Sequence, residues 1–424
     1  MTRAERDSLL RRMFDAAVAA ADPMHVLPRF LPQRPAAGRV LVVGAGKASA
    51  RMAQALEATW GRCDGVVCVP YGSMIPTQGV EVVEAAHPIP DAASAKAADR
   101  MLALAGELEE GDTLVALISG GGSALLAAPI EGLDLEDKRD ICRALLTSGA
   151  PIDQMNIVRQ QLSRIKGGGL AHAASPARVL TFIVSDVPGD DPALVASGPT
   201  MAPLGNRTEA LAILERYKVV PSASVKAELM RDPEDRDILP PSTTQIIASS
   251  QGALEAAAAV AKSAGFTPII LGNAIEGEAA EMGRVLAGIA LQVACFSQPA
   301  PPPVALICGG EATVTVRGSA GKGGRCTEFL LALAVALGER PAISALACDT
   351  DGRDGTETNA GAIWHGTDQF DSATARTLLA AHDAWTFFDK AKGLVETGPT
   401  YTNVNDLRVI LIEAETTAAI ASGL

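Results

Sequence analysis

VLVVGAGKAS, residues 40–49, is a run of buried-strand residues that breaks at Gly44-Ala45-Gly46-Lys47 and leads into a helix-forming stretch, 46–60. A β-branched apolar strand, a glycine turn and a helix make the opening unit of a parallel α/β sheet. The rhythm repeats outward. Strands are expected at 40–43, 65–69, 80–84, 113–118 and 179–184, with helices at 91–108, 134–148 and 153–165. The segment 231–242, RDPEDRDILPPS, is charged and then proline-rich, and reads as a boundary. A second alternation follows it, with strands at 245–248, 267–271, 304–308, 312–316, 343–348 and 407–411 and helices at 251–264, 276–295 and 324–337. The expected fold is α/β in two domains. The first, 1–238, is a Rossmann-like parallel sheet with helices on both faces, and the second, 239–424, is a further α/β unit.

Composition narrows the function. The 424 residues are 48% hydrophobic but only 4% aromatic, so the core is built from Ala, Val, Leu and Ile, as buried parallel strands require. The net charge of −13 comes with no basic stripe, which argues against nucleic acid and anionic membrane as partners. An anionic substrate would be repelled by the global field, so its site must be locally positive. Seven scattered cysteines without CxxC point to a reducing, cytoplasmic location. Five dispersed histidines give no zinc pattern. The N-terminus reads as an amphipathic helix ending before Pro23, and the apolar stretch near 285–296 is too short to span a bilayer.

Six loops could carry chemistry. At the first, Gly44 and Gly46 permit close backbone approach and the helix start offers N–H groups to an anion. The dinucleotide fingerprint is incomplete. Ser49 holds the place of the third glycine, and the next strand, in VVCVPYG, ends without an acid. A tight turn with no ligand is the competing reading. Lys47, in the first helical turn, opposes the helix dipole and makes sense beside an anion. At the second, Ser119-Gly120-Gly121-Gly122-Ser123 opens a buried strand into a helix and suits a phosphate or carboxylate, although no Walker pattern is met. Lys166, before Gly167-Gly168-Gly169, reads as the basic last turn of a capped helix, with anion contact as the second reading.

Asp186 lies just past a buried strand, where open α/β sheets bind ligands, and suits a metal or a proton from a hydroxyl. Asp190 and Asp191 precede Pro192 and read as helix caps or a further acid. In 308–329, Glu311 follows two glycines, and Lys322 and Arg325 stand in a glycine-rich turn; Arg offers a bidentate fork to carboxylate or phosphate. A hairpin with solvated basic residues competes. Asp349, Asp351 and Asp354 resemble a calcium loop, but Ala360 at its twelfth position excludes an EF-hand. Magnesium on one or two of these carboxylates plus nucleotide phosphates fits better, with turn formation the alternative. No GxSxG elbow occurs, and His87 in AAHPIPD reads as a rim residue.

The ordered set VGAGKA, AAHPIPD, ISGGGSALL, SRIKGGGLA, SDVPGDD with ASGPT, GGEATVTV with GKGGR, and DTDGRDG resembles the class II glycerate kinases, or glycerate 2-kinases, over nearly the whole chain. The region from about 304 looks like their MOFRL domain. The resemblance implies that ATP and D-glycerate give 2-phosphoglycerate and ADP with a divalent metal, Mg²⁺, in a cleft between two domains. It also implies that Lys47 and Arg325 are an active-site basic pair. Cys326 and Thr327 depart from the Asn and Gln common in relatives, which puts a role for those two side chains in doubt.

The mechanism expected on this basis is electrostatic. The Gly120–Ser123 loop holds one anionic group. Lys47 and Arg325 close on the phosphoryl group or the glycerate carboxylate. Asp351 or Asp354, with Asp186, places Mg²⁺, and Asp186 or Asp190 serves as base. The rival readings are an NAD(P)H-dependent hydroxypyruvate reductase and a non-catalytic binder of small anions. Partners are expected to be small molecules, with a homodimer left open.

Overall fold

The computed structural model describes residues 1–231, 239–316, 318 and 321–414. The chain divides into two compact units, Asp22–Ala248 and, from both ends of the chain, Met1–Ala21 with the segment from Ser249 onward. The boundary expected at 238/239 is therefore displaced, and residues 232–238 lie outside the described residues. The displacement has a simple cause. The strand Ser242–Ala248 completes the first sheet, while the helix Arg3–Ala21 packs on the helix Ser250–Ser263 of the other unit.

In the unit Asp22–Ala248, the strands are β1 (Val40–Ala45), β2 (Asp64–Pro70), β3 (Val80–Ala85), β4 (Thr113–Ser119), β5 (Arg178–Val184) and β6 (Ser242–Ala248). They form an all-parallel sheet in the order β3-β2-β1-β4-β5-β6, the doubly wound order. Leu41, Val43, Leu114 and Ala116 pack with Ala97, Ala98 and Met101 of the helix Ala92–Ala105. The alternate residues Val42, Val115 and Leu117 are buried too, and the helix Ser49–Trp60 packs on β2 and β4. Burial on both faces explains the unbroken apolar runs. The order of the sheet reverses between β1 and β4, so their C-terminal loops, 44–48 and 119–123, flank the crevice where such sheets bind ligands.

In the other unit the strands are β7 (Thr267–Gly272), β8 (Gly277–Glu278), β9 (Val304–Cys308), β10 (Ala312–Thr313), β11 (Ile343–Asp349), β12 (Gly361–His365), β13 (Leu394–Val395) and β14 (Asp406–Ile412). The large sheet runs β13-β12-β11-β14-β9-β7 and is mixed. Only β7 and β9 pair in parallel. The strand expected over 312–316 shortens to two residues, which pair with β8 apart from this sheet. The helices Ala279–Phe296 and Arg325–Leu337 cover one face and cross closely. A Cβ on Gly283 would lie 2.5 Å from the Phe329 carbonyl oxygen. The helix Ala279–Phe296 is long and apolar enough to cross a membrane by length and composition, longer than the stretch expected, but seven of its residues are buried in this core.

Candidate active site

The loop after β1 is shaped by proximity to β4. A Cβ on Gly44 would lie 2.4 Å from the Leu117 carbonyl oxygen, and one on Gly46, whose φ is +136°, would lie 2.1 Å from Ser119 Oγ. Only glycine fits both positions. The following amides are all used within the chain. Gly46 N–H donates to Cys68 O at 3.1 Å, Lys47 N–H to Gly120 O at 2.9 Å and Ser49 N–H to Gly46 O at 3.2 Å. Ala48 N–H donates to Ser119 Oγ at 2.9 Å. This corrects the expectation that the helix start presents free N–H groups. Gly44, Gly46 and the buried Ser119 lock two loops together rather than face a ligand. It also weakens the dinucleotide reading, which needs those amides for a pyrophosphate.

The second loop differs. Among the described residues, none accepts from the N–H groups of Gly121, Gly122 or Ser123 at the start of the four-residue helix Gly122–Leu125. The Asp186 carboxylate lies against this loop: a Cβ on Gly120 would be 1.9 Å from its Oδ2. Beside it, a Cβ on Gly121 would meet His87 Nε2 at 2.9 Å and Lys47 Cγ at 3.6 Å. Gly120 and Gly121 thus leave room for Asp186, His87 and Lys47, while Gly122 packs against Ala45 O and Ala196. Asp190 lies further along the same segment, in a turn with φ +56°.

Lys166 is not the solvated helix end that its local sequence suggests. It is buried, and its Nζ donates to Ser123 O at 2.7 Å and Ser123 Oγ at 2.8 Å. Ser123 Oγ in turn lies 3.1 Å from Ser197 Oγ, which donates to Asn156 Oδ1 at 3.1 Å. Burial, and then the positive charges of Lys138 and Arg159, push the Lys166 ammonium well below the usual lysine range. Gly167 and Gly168 donate their N–H groups to Ser197 O and Gly198 O, so the SRIKGGG and ASGPT segments form one support.

The mixed-sheet unit holds a separate cluster around Arg325, the first residue of the helix Arg325–Leu337. Its guanidinium donates from Nε to Asp406 Oδ1 at 2.8 Å, from Nη1 to Glu311 Oε1 at 2.7 Å and from Nη2 to Asp349 Oδ2 at 2.7 Å. Burial opposes its charge, but Asp406, Asp349 and Glu311 outweigh that and hold it protonated far above its ordinary value. The other Asp406 oxygen pairs with the fully buried Arg408. Arg408 also donates to Gly309 O at 3.0 Å and stacks on Phe329 with 5.3 Å to the ring centroid. Glu311 is the exposed member, while Asp349 and Asp406 are buried. Lys322 is exposed and lies over the Trp385 ring at 4.7 Å.

The aspartates expected to hold a metal have other work. Asp354 is fully buried and accepts from Cys326 N at 2.8 Å, Thr327 N at 2.8 Å and Thr327 Oγ1 at 2.7 Å, so it caps the helix that begins at Arg325. Burial raises its pKa to about 6 against the pull of those hydrogen bonds. Asp349 binds Arg325 and accepts from Asp351 N at 3.0 Å. Among the described residues no three His, Cys, Asp or Glu side chains come together as a metal cage. Asp351, which closes a turn by accepting from Arg353 N, is the one of the three that remains half-exposed. Asp349 and Asp354, expected as metal ligands, are thus engaged as a partner of Arg325 and as a helix cap.

Sequence reading missed Asp406, Arg408, Lys138 and Arg159. The first two leave a trace. In DLRVILI, charges at alternate positions interrupt one face of an otherwise apolar strand.

Comparison with known proteins adds independent findings. A family model described as a domain of unknown function, DUF4147, matches residues 9–230, and the MOFRL family model matches residues 304–406. The chain is 38% identical to a D-glycerate 2-kinase of Thermotoga maritima, over 88% of this chain and 91% of that protein. It is 49% identical to a protein of Agrobacterium vitis named putative hydroxypyruvate reductase, over 95% of this chain and 94% of that one. The crystal structure of glycerate kinase from Thermotoga maritima superposes with a TM-score of 0.87 at 35% identity, covering 96% of this chain and all of the other.

Proposed function

Because this chain belongs to the glycerate 2-kinase family with a MOFRL domain, we propose that it transfers the γ-phosphoryl group of ATP to the 2-hydroxyl of D-glycerate, releasing ADP and 2-phosphoglycerate. The observation that carries the reading is the placement of the Asp186 carboxylate and the Lys47 side chain against Gly120 and Gly121 at the strand ends of a doubly wound sheet. A carboxylate there can accept the hydroxyl proton, and a cation can neutralise charge on the transferring group. Asp186 is the proposed base in preference to Asp190, since it lies against the glycine loop.

Lys47 and Arg325 are the proposed cations of the reaction. Arg325 can meet an anion by exchanging its exposed partner Glu311 while Asp349 and Asp406 keep it oriented. Magnesium is proposed to arrive on the ATP phosphates, with Asp351 the one aspartate of its loop that suits a ligand. This ion ordinarily keeps several waters and uses one or two carboxylates. The reactants are small molecules, and the proposed location is cytoplasmic.

The reductase reading keeps two arguments, the doubly wound strand order and the name of the 49%-identical relative, and meets the obstacle of the fully engaged amides at 46–49. One pair of assays separates the two. ADP release coupled to D-glycerate, with phosphorus NMR showing 2-phosphoglycerate, supports the kinase. NADH oxidation by hydroxypyruvate without ADP release overturns it.

A further inference from the structure

The unit Asp22–Ala248 contains a cavity of about 340 Å³ beside the glycine loop, within the range usual for small-molecule sites. Lys138, Arg139, Arg143, Arg159 and Lys166 line it, and no carboxylate does. For a chain of net charge −13 this is a pronounced local inversion. Arg139 and Arg143 are compensated outside the cavity by Glu136 at 3.1 Å and Asp140 at 2.9 Å. The other three are not. Lys138 is 6% exposed and its Nζ is buried without a hydrogen-bond partner, Arg159 pairs with no carboxylate among the described residues, and Lys166 binds only neutral oxygens of Ser123. A buried, unpaired ammonium is costly and calls for a counter-charge.

We infer that this cavity binds the nucleotide, its polyphosphate between Lys138, Arg159 and Lys166 and its base against the apolar wall. Three uncompensated cations exceed what the single carboxylate of a hydroxy acid would balance, and they match a polyphosphate. The cavity includes Gly121 and Ser123, so a terminal phosphoryl group there reaches the loop against which Lys47 and Asp186 lie. The remaining wall is apolar and partly open. Ile89 is 61% and Leu146 63% exposed, with Pro88 and Leu135 between the polar groups, a surface on which a flat heterocycle can lie. The identity of the ligand as ATP rests on the kinase reading, whereas the need for a polyanion rests on the cations alone.

The test is calorimetric, on the full chain. ADP, inorganic triphosphate and D-glycerate are titrated separately into wild type, Lys138→Met and Leu146→Asp. Met keeps the length of the side chain without its charge. Leu146 is exposed, so its replacement leaves the core intact and sets a negative charge on the cavity wall. The expected result is ADP and triphosphate binding weakened about ten- to a hundredfold in both variants, the scale of one charged hydrogen bond, with D-glycerate within about twofold of wild type. Unchanged ADP affinity in folded variants, or a loss confined to D-glycerate, overturns the assignment while leaving the kinase reading standing. If wild type releases no ADP with D-glycerate yet binds triphosphate in a Lys138-dependent way, the kinase reading falls and the polyanion cavity stands. Binding of neither ADP nor triphosphate by wild type removes the cavity as a nucleotide site.

Discussion

Replacing Arg325 by Ala should unfold the mixed-sheet unit more readily as well as abolish turnover. The guanidinium neutralises two buried carboxylates, Asp349 and Asp406, which are 5% and 0% exposed. Breaking a buried pair costs about 3–5 kcal/mol because the remaining charge is left without a partner. Asp406 keeps Arg408, which limits its share, and Asp349 keeps the Asp351 N–H donor. Glu311, half in solvent, contributes about 0–1 kcal/mol. The sum is about 3–4 kcal/mol. At about 2–4 °C per kcal/mol for a unit of this size, the melting transition should fall by roughly 10 °C. Arg325→Lys restores a charge but not the three-armed fork and should recover about half of that. Glu311→Gln should barely move it. The assay is differential scanning calorimetry on the four proteins, with ADP release measured at 25 °C where each is folded. A folded Arg325→Ala variant that melts within about 2 °C of wild type would refute the ion-pair argument, and Arg325 would then be a free cation.

Lys138→Met should stabilise the ligand-free protein. Burial lowers the Lys138 pKa from 10.5 to about 8, so below pH 8 the folded state bears a penalty of about 3 kcal/mol at most, and wild-type stability rises between pH 8 and 10.5. Urea unfolding at pH 7 and pH 10 should show the variant ahead at pH 7 and the gap nearly closed at pH 10; an equal gap at both would contradict the assignment. Asp354 behaves oppositely. Its pKa rises from 3.8 to about 6, so the folded state binds the extra proton and wild-type stability falls as pH climbs through that window. Asp354→Asn should remove this slope and, by setting an NH₂ against an N–H donor of the helix start, cost about 1–2 kcal/mol at pH 7; a persistent slope assigns it to another group. Gly120→Ala places a methyl group 1.9 Å from Asp186 Oδ2 and should lower kcat at least tenfold with the melting temperature little changed, while wild-type turnover would remove Asp186 from the reaction.

The first sheet was readable because its central strands are buried on both faces, which leaves unbroken apolar runs such as Val40–Ala45. The following helix begins at Ser49 rather than Gly46, since Gly46 has a φ of +136° that no helix accepts. Strand direction in the second sheet was not readable. The expected strands 343–348 and 407–411 carry no mark of the antiparallel pairing that β11 makes with β12 and β14. Residues that the structure brings together were legible where a glycine turn announced them, as with Lys47 and Gly120–Ser123. Their partners were not legible where those lie far along the chain. Lys166 meets Ser123 at a separation of 43 residues, and Arg325 meets Asp406 at 81. Local patterns carry no information about such meetings, so a basic helix end and a buried cation look alike in sequence.

The division of the chain has a consequence for its biosynthesis. Domains generally fold as units and in the order of their emergence from the ribosome. The segment Asp22–Ala248 can follow that order, since every strand of its sheet lies within it. The helix Arg3–Ala21 cannot. It is made earlier, yet Leu9, Leu10, Met13 and Phe14 find their cover only after that whole segment, when the helix Ser250–Ser263 arrives, and Arg6 finds its partner Glu413 later still. An apolar stripe is thus left waiting while the whole of Asp22–Ala248 is made, an interval in which it is open to a nascent-chain chaperone.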